Sequence, residues 1–120
     1  MKNQLFEKLD MAYEEVQIIQ RHLHMNPEVA FQGTNTAKYI QDFYAELGID
    51  FTPNVGGNGV VARVKGALPG KTVALRADFD ALPIQDEKDV EYKSTVPGVM
   101  HACGHDGHTA TLLILGRTLH

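Results

Sequence analysis

The amino-acid sequence predicts an α/β fold in which helices pack on a mixed β-sheet. Apolar residues recur at helical spacing over residues 5–23 and again over 37–47, which indicates two amphipathic helices. The pattern then changes to short apolar runs between glycine-containing turns, which indicates strands. Two helices, three strands, a long connection and a final helix form a layered arrangement. We therefore expect the strands to belong to a larger sheet with helices on its faces.

Two helices are predicted in the first half of the chain. The first has an apolar stripe that steps by three and four residues over 5–23, and an Asn-Pro pair at 26–27 ends it, because the residue before proline disfavours helical backbone. The second has Thr34 or Thr36 as its N-cap. Gly48 follows its last apolar residue, at the position where glycine adopts the left-handed conformation that ends a helix.

Three strands are predicted next, over residues 49–55, 60–64 and 72–77, with glycine-containing turns between them. Two such connections in succession predict an antiparallel meander. The run 72–77 is nearly continuous in apolar residues, which suits a strand that is buried on both faces. Residues 79–104 form a long connection, and loops of that length in a compact domain are usually functional. The final helix is expected to begin near Asp106.

The composition is typical of one compact domain. The 120 residues are 43% apolar and 22% charged, which is enough to form a core. The net charge of −4, without a basic stripe, argues against nucleic acid as a partner. A single cysteine excludes an intrachain disulfide and favours a reducing compartment. No secretory or membrane-spanning segment is recognisable, so we expect a soluble cytoplasmic protein without membrane contact.

The segment 100–108 is the strongest candidate for chemistry, because it holds the only cysteine and three of the six histidines. A thiolate at Cys103 and an imidazole at His105 are borderline-soft ligands that suit Zn²⁺ and its first-row neighbours. His108 follows three residues later and can share a helical face with His105. It is a weaker candidate, as is His101, because one metal cannot use every histidine nearby.

Two aspartates follow the third predicted strand. At the strand period of two, the carboxylates of Asp78 and Asp80 point to one side, and ligands bind beyond the carboxyl ends of strands in open α/β sheets. The alternative is that they only cap the loop. His22 and His24 lie near the end of the first helix, where cations complement the helix dipole. Asp106 is placed as an N-cap of the final helix.

Two other functions of the cysteine segment are weaker interpretations. Cys103 could be a nucleophile with His101 or His105 as its base, but a base so near on the same loop is an unusual geometry. A closed structural zinc site needs four ligands, typically as two pairs of cysteine or histidine, and no second pair has a suitable spacing. Metal ligation by Cys103 and His105 is therefore the preferred hypothesis.

Three motifs together resemble a known family. They are RHLHMNPE at 21–28, LRADFDALP at 75–83 and PGVMHACGHDGHT at 97–109. In this order they are similar to motifs of metal-dependent amidohydrolases in the aminoacylase/carboxypeptidase-type metallopeptidase superfamily. That group includes hippurate hydrolase, indole-acetyl-amino-acid hydrolase and N-acyl-amino-acid amidohydrolase. The resemblance implies that residues 1–120 are the incomplete N-terminal segment of a zinc-exopeptidase-like catalytic domain, without the lid and dimerisation domain. The final apolar pattern also stops without a C-cap.

The resemblance implies a role for each matching residue. Cys103 and His105 would be ligands in a site for two divalent ions, Mn²⁺, Zn²⁺, Co²⁺ or Ni²⁺. Asp80 would be the catalytic aspartate that orients a metal ligand. Asp78 falls where related enzymes place a ligating histidine, so its role stays open, and His108 would be supporting. The family's glutamate base and its later histidine ligands are not among these 120 residues.

The function implied is hydrolysis of the amide bond of an N-acyl amino acid or short peptide. In such a site two metal ions polarise the scissile carbonyl and activate water near neutral pH. The intact protein is expected to act on a small-molecule substrate, and a homo-oligomer is compatible with the resemblance. This chain by itself is expected to be inactive. The alternative is a non-catalytic truncated fragment with a partial metal site.

Overall fold

The computed structural model describes all 120 residues and contains four helices and one two-stranded sheet. The elements in chain order are α1 (Lys2–Met11), α2 (Tyr13–Met25), α3 (Thr34–Leu47), β1 (Asp50–Val55), β2 (Gly59–Arg63) and α4 (His105–Leu119). The α/β class predicted from the sequence is therefore confirmed. None of the helices combines the length and the apolar character needed to cross a membrane.

The core lies where α4 packs across α2, with α3 and the start of β1 beside them. Leu113 and Ile114 of α4 are almost completely covered, and Ala110 is fully covered. Full burial of a Leu or Ile side chain contributes about 1.5–3 kcal/mol, so α4 is held chiefly by its apolar face. The buried cluster consists of Ala12, Ile19, Leu23, Ile40, Tyr44, Ile49, Ala110, Leu113 and Ile114.

The first predicted helix is divided into α1 and α2 at Ala12. The backbone at Ala12 has φ −88° and ψ 0°, and its N–H still donates to the carbonyls of Lys8 and Leu9. Ala12 is buried in the core cluster. The apolar stripe therefore continues across the break, which is why the sequence pattern does not reveal it.

The start of α3 is capped by a residue outside the helix. The N-cap position is Gly33, and neither Thr34 nor Thr36 supplies a side-chain cap, so the predicted cap is wrong. Instead Glu28 Oε1 accepts hydrogen bonds from the backbone N–H of Thr36 at 2.5 Å and from its hydroxyl at 2.6 Å. Gly48 is confirmed as the residue that ends the helix, with φ 70°.

The predicted third strand does not form within these residues. β1 and β2 pair antiparallel, but residues 72–77 pair with neither of them. Val73 is 78% exposed and Leu75 is 58% exposed, so the expected burial on both faces is also wrong for the described chain. A strand is stabilised only by a neighbour, and no segment lies in register beside this one. The antiparallel meander is therefore reduced to one hairpin.

The long connection is held against the helices by backbone hydrogen bonds. Ala81 N–H donates to the Glu28 carbonyl at 2.8 Å, and Leu82 and Met100 exchange a pair of bonds. Thr95 N–H donates to the Met25 carbonyl at 2.9 Å. These bonds bring the segment after residue 77 and the segment before α4 to the same end of the helices, which is where the candidate site lies.

Candidate metal centre

Three side chains that can bind a metal ion meet at the N-terminus of α4. Asp78, Asp80 and His105 each offer a ligand atom, and these atoms all lie within 4.8 Å of one another. The two carboxylates thus lie on one side, as their spacing in the sequence predicts. His105 is the first residue of α4 and follows Gly104, whose φ of 104° turns the chain into the helix. The site therefore joins the end of the 72–77 segment to the start of a buried helix.

His105 is oriented by Asp80. Its Nδ1 lies 2.8 Å from Asp80 Oδ1 and 3.1 Å from the Asp80 carbonyl oxygen. Because both oxygens can only accept here, Nδ1 carries the hydrogen, and Nε2 is the nitrogen left with a lone pair for a ligand. A carboxylate that holds one nitrogen of a histidine while the other binds a metal is a recurrent arrangement in metal sites.

Asp78 is connected to both neighbouring segments. Its carboxylate pairs with the exposed Arg76, at 3.0 Å and 3.4 Å from the two guanidinium nitrogens. Its carbonyl oxygen accepts a hydrogen bond from the hydroxyl of the buried Thr109 at 2.7 Å. Thr109 lies in the first turns of α4, so this bond ties the aspartate segment to the helix that carries His105. Thr109 is not among the site residues predicted from the sequence.

Cys103 and His108 are near this cluster in sequence but are not part of it. The thiol of Cys103 is exposed, and its sulfur is not among the grouped ligand atoms. His108 is exposed, with its ring centre 5.8 Å from that of His105. The structure thus brings together His105, Asp80 and Asp78, while ligation by Cys103 and support by His108 stay predictions.

The donor set fits a divalent metal ion. Two carboxylates and one imidazole are ligand types that Zn²⁺ and its first-row neighbours share. The side chains are partly accessible, at 18% for His105, 37% for Asp80 and 35% for Asp78, so an ion can reach them. This solvent access also fits the open arrangement of catalytic sites rather than the closed arrangement of structural ones.

A buried polar network joins α2 to Asp106, the residue that follows His105, and it was not predicted from the sequence. His24 Nδ1 donates to Asp106 Oδ2 at 2.8 Å, and Gln20 Nε2 donates to the same oxygen at 2.6 Å. Burial raises the pKa of Asp106, but the bonds from His24, Gln20 and the Gly107 backbone, with the charge of His101, together bring it below its ordinary value, which favours the ionised carboxylate. The N-cap of α4 is Gly104, and Asp106 lies inside the first turn, so the predicted N-cap role of Asp106 is wrong. The available signal was that Gln20 and His24 are four residues apart, on one helical face.

The other side of His24 faces a second buried carboxylate. His24 Nε2 lies 3.3 Å from Asp86 Oδ2 and 3.1 Å from Lys88 Nζ. Asp86 is fully covered and also accepts bonds from the Lys88 ammonium and the Ser94 backbone N–H. The Lys88 and Ser94 bonds hold its pKa well below the usual range, against the opposite effect of burial. His24 thus lies between two buried carboxylates, those of Asp106 and Asp86, and this role goes beyond the helix-end position predicted from the sequence.

His101 is the second buried imidazole of this region. It is 5% exposed, and neither of its ring nitrogens has a hydrogen-bond partner. Its ring centre lies 6.5 Å from that of His24. Burial lowers the pKa of His101, although the negative charge of Asp106 acts in the opposite direction. The lowered pKa favours the neutral imidazole.

Comparisons with known proteins find relatives of this chain. Residues 74–120 match Peptidase family M20/M25/M40. A relative from Bacillus subtilis, provisionally named amidohydrolase YhaA, is 58% identical over 120 residues, which are 100% of this chain and 30% of the relative. The N-acyl-L-amino acid amidohydrolase of Geobacillus stearothermophilus is 45% identical over 93% of this chain and 30% of its own length.

A solved structure also matches. The YXEP protein of Bacillus subtilis, described as a dinuclear metal binding peptidase from the M20 family, superimposes with a TM-score of 0.80 and 39% identity. The match covers 87% of this chain and 29% of that protein. The chain therefore spans about 30% of the length of the relatives that it matches. The resemblance seen in the three motifs is confirmed, because residues 74–120 match the M20/M25/M40 peptidase family and nearly the whole chain is similar to the N-terminal third of proteins named as amidohydrolases or as an M20 peptidase.

Proposed function

We propose that the protein carrying this chain is a metal-dependent amidohydrolase that cleaves the amide bond of N-acyl amino acids or short peptides. The observation that supports this best is the Asp80–His105 pair, in which a carboxylate holds Nδ1 and leaves Nε2 for a ligand beside a second carboxylate. The substrate class follows from a relative that is named for N-acyl-L-amino acids. A small molecule is therefore the proposed partner.

The metal centre is proposed to take two divalent ions of the Mn²⁺, Zn²⁺, Co²⁺ or Ni²⁺ class. Cys103 and His105 are the proposed ligands from this chain, and the related YXEP protein is described as dinuclear. Asp80 is proposed to position the His105 imidazole. Asp78, which lies in the same cluster, and the neighbouring His108 are proposed as supporting groups. When bound, such ions polarise a carbonyl and lower the pKa of water near them.

The residues of this chain have separate tasks in that proposal. His105 presents Nε2 for a ligand. Asp80 accepts the hydrogen bond from Nδ1 of the same ring, which keeps the hydrogen on Nδ1 and the lone pair on Nε2. Thr109 holds the Asp78 backbone against α4, so the aspartates and the histidine keep their spacing. The exposed Cys103 thiol stands on the loop that leads into α4. A general base would come from outside these residues, as the family resemblance implies.

Residues 1–120 are proposed to form the N-terminal segment of the catalytic domain, with the lid and dimerisation domain encoded elsewhere. The exposed apolar residues Val73 and Leu75 support this, because they suit a strand that other parts of a larger sheet would cover. The second candidate function is that of a non-catalytic piece that holds a partial metal site. The observation behind this alternative is that the chain spans 30% of the length of the relative YhaA. A cytoplasmic location and the oligomeric state stay predictions.

The test compares three variants in the full-length protein. We expect Cys103→Ala and His105→Ala each to weaken metal binding, measured by titration, by about tenfold or more, while His22→Gln has little effect. Hydrolysis of an N-acyl amino acid should be lost after chelation and recovered with added metal. Equal effects of the three variants would show that the ligand assignment is wrong. Activity that survives a chelator but is lost with a thiol alkylator would indicate a cysteine hydrolase instead.

A further inference from the structure

The first two residues of α4 face different anchors. His105 Nδ1 donates to Asp80 on the side of the candidate metal centre, at 2.8 Å. Asp106 accepts from His24 of α2 on the buried side, also at 2.8 Å. Successive residues of an α-helix are about 100° apart around its axis, so these two bonds hold the first turn from two sides, in addition to the apolar face that anchors the rest of α4.

The bond between His24 and Asp106 is buried on both sides. His24 is 6% exposed and Asp106 is 4% exposed. Removal of His24 would leave the buried Asp106 oxygen with only the bond from Gln20, at 2.6 Å, and loss of one partner of a buried polar pair is costly. His24 is therefore one of the groups that hold the first turn of α4 in its orientation.

His24 is held from its other ring nitrogen as well. Its Nε2 lies within 3.3 Å of Asp86 Oδ2 and 3.1 Å of Lys88 Nζ. Asp86 is itself fixed by the Ser94 backbone N–H at 3.0 Å. A continuous set of polar contacts thus runs from the long connection, through His24, to the residue that follows His105.

We propose that His24 is a positioning residue for the metal centre, because its Nδ1 bond to Asp106 sets the orientation of the first turn of α4 and hence of His105. The inference depends on the proposed function, since it assigns His24 a part in the same metal site. His24 touches no ligand itself and acts through Asp106. The Nε2 side, toward Asp86 and Lys88, serves to hold the imidazole and not to orient His105.

The two nitrogens of His24 can be tested separately in the full-length protein. In His24→Asn the amide nitrogen takes the place of Nδ1, and in His24→Gln it reaches toward the place of Nε2. We expect His24→Asn to keep its Co²⁺ affinity within about threefold and His24→Gln to lose about tenfold to 100-fold. The visible absorption of bound Co²⁺ should keep its wild-type shape only in His24→Asn. His22→Gln, two residues away, is the matched control.

The outcomes separate the inference from the proposed function. If the wild-type protein binds no divalent metal, the proposed function fails and the inference fails with it. If the wild type binds Co²⁺ and hydrolyses its substrate, but the Asn and Gln variants have equal affinities and spectra, only the inference is overturned. If neither His24 variant folds, as judged by circular dichroism, Asp106→Asn is the second variant. We expect it to weaken Co²⁺ binding by about tenfold, and wild-type affinity there would overturn the inference.

Discussion

Nδ1 of His105 donates a hydrogen bond to Oδ1 of Asp80 at 2.8 Å, although 25 positions separate the two residues. This bond defines the tautomer of the imidazole, and it leaves Nε2 with a lone pair for a ligand. The candidate centre is therefore organised before any ion binds. Residues remote from the ligands should affect metal binding if they alter this bond or the elements that carry it.

Replacement of Asp80 should weaken metal binding without unfolding the protein. In Asp80→Ala the hydrogen on His105 Nδ1 loses its carboxylate, so the ring and its tautomer are no longer held. We expect metal affinity to fall by about tenfold to 100-fold, measured by calorimetric titration of the full-length protein. Asp10→Ala, at an exposed position of α1, should bind like the wild type. Wild-type affinity in Asp80→Ala would contradict a positioning role.

Loss of the Glu28 carboxylate should destabilise α3. Glu28 caps the helix from outside, through the Thr36 backbone and hydroxyl, and removal of a helix cap costs about 0.5–2 kcal/mol. We expect Glu28→Ala to lower the free energy of unfolding of the metal-free protein by about that amount in urea denaturation. Glu91→Ala, at an exposed position, is the control. A Glu28→Ala protein as stable as the control would show that the cap contributes nothing.

The contribution of Asp86 to stability should depend on pH. Because the folded protein holds its pKa well below the usual range, the ionised carboxylate stabilises the fold fully at pH values above the unfolded pKa, about 3.9. That stabilisation is lost as the pH falls below this value. We expect Asp86→Asn to melt at a lower temperature than the wild type at pH 7, and the difference to narrow toward pH 2.

The exposed Asp89 provides the control for this measurement. Asp89→Asn should follow the wild-type melting temperature across the whole pH range. A difference between Asp86→Asn and the wild type that stays constant from pH 7 to acid would mean that Asp86 acts through packing and not through its charge.

A methyl group at Gly33 should disturb the aspartate segment. A Cβ at this position would lie 2.8 Å from Cε2 of Phe79, and Phe79 stands between Asp78 and Asp80. The ring must move, and overpacking of this kind costs about 1–3 kcal/mol. We expect Gly33→Ala to lower the melting temperature and to weaken metal binding. Gly70→Ala, where a Cβ would meet nothing within 4 Å, should do neither.

Much of the fold was predictable because it depends on local patterns. The second helix, its end at Gly48 and the first hairpin follow from spacing and turn residues that are close in sequence. The third strand at 72–77 was not correctly predicted, because an apolar run shows that a segment suits a sheet but not whether a neighbour is present to pair with it. The division at Ala12 was missed because the stripe remains in phase across it.

The sequence alone revealed the family resemblance, through three motifs, and the residues that carry the candidate chemistry, since those depend on side-chain identity and order. The tertiary structure decided which of them meet. It placed Asp78, Asp80 and His105 together, left Cys103 exposed outside that group, and connected His24 to Asp106 across 82 positions. Such contacts join helices and loops that are remote in the chain, and no periodic pattern encodes them. They form because burial of the apolar face of α4 brings these polar groups together, where each must find a partner.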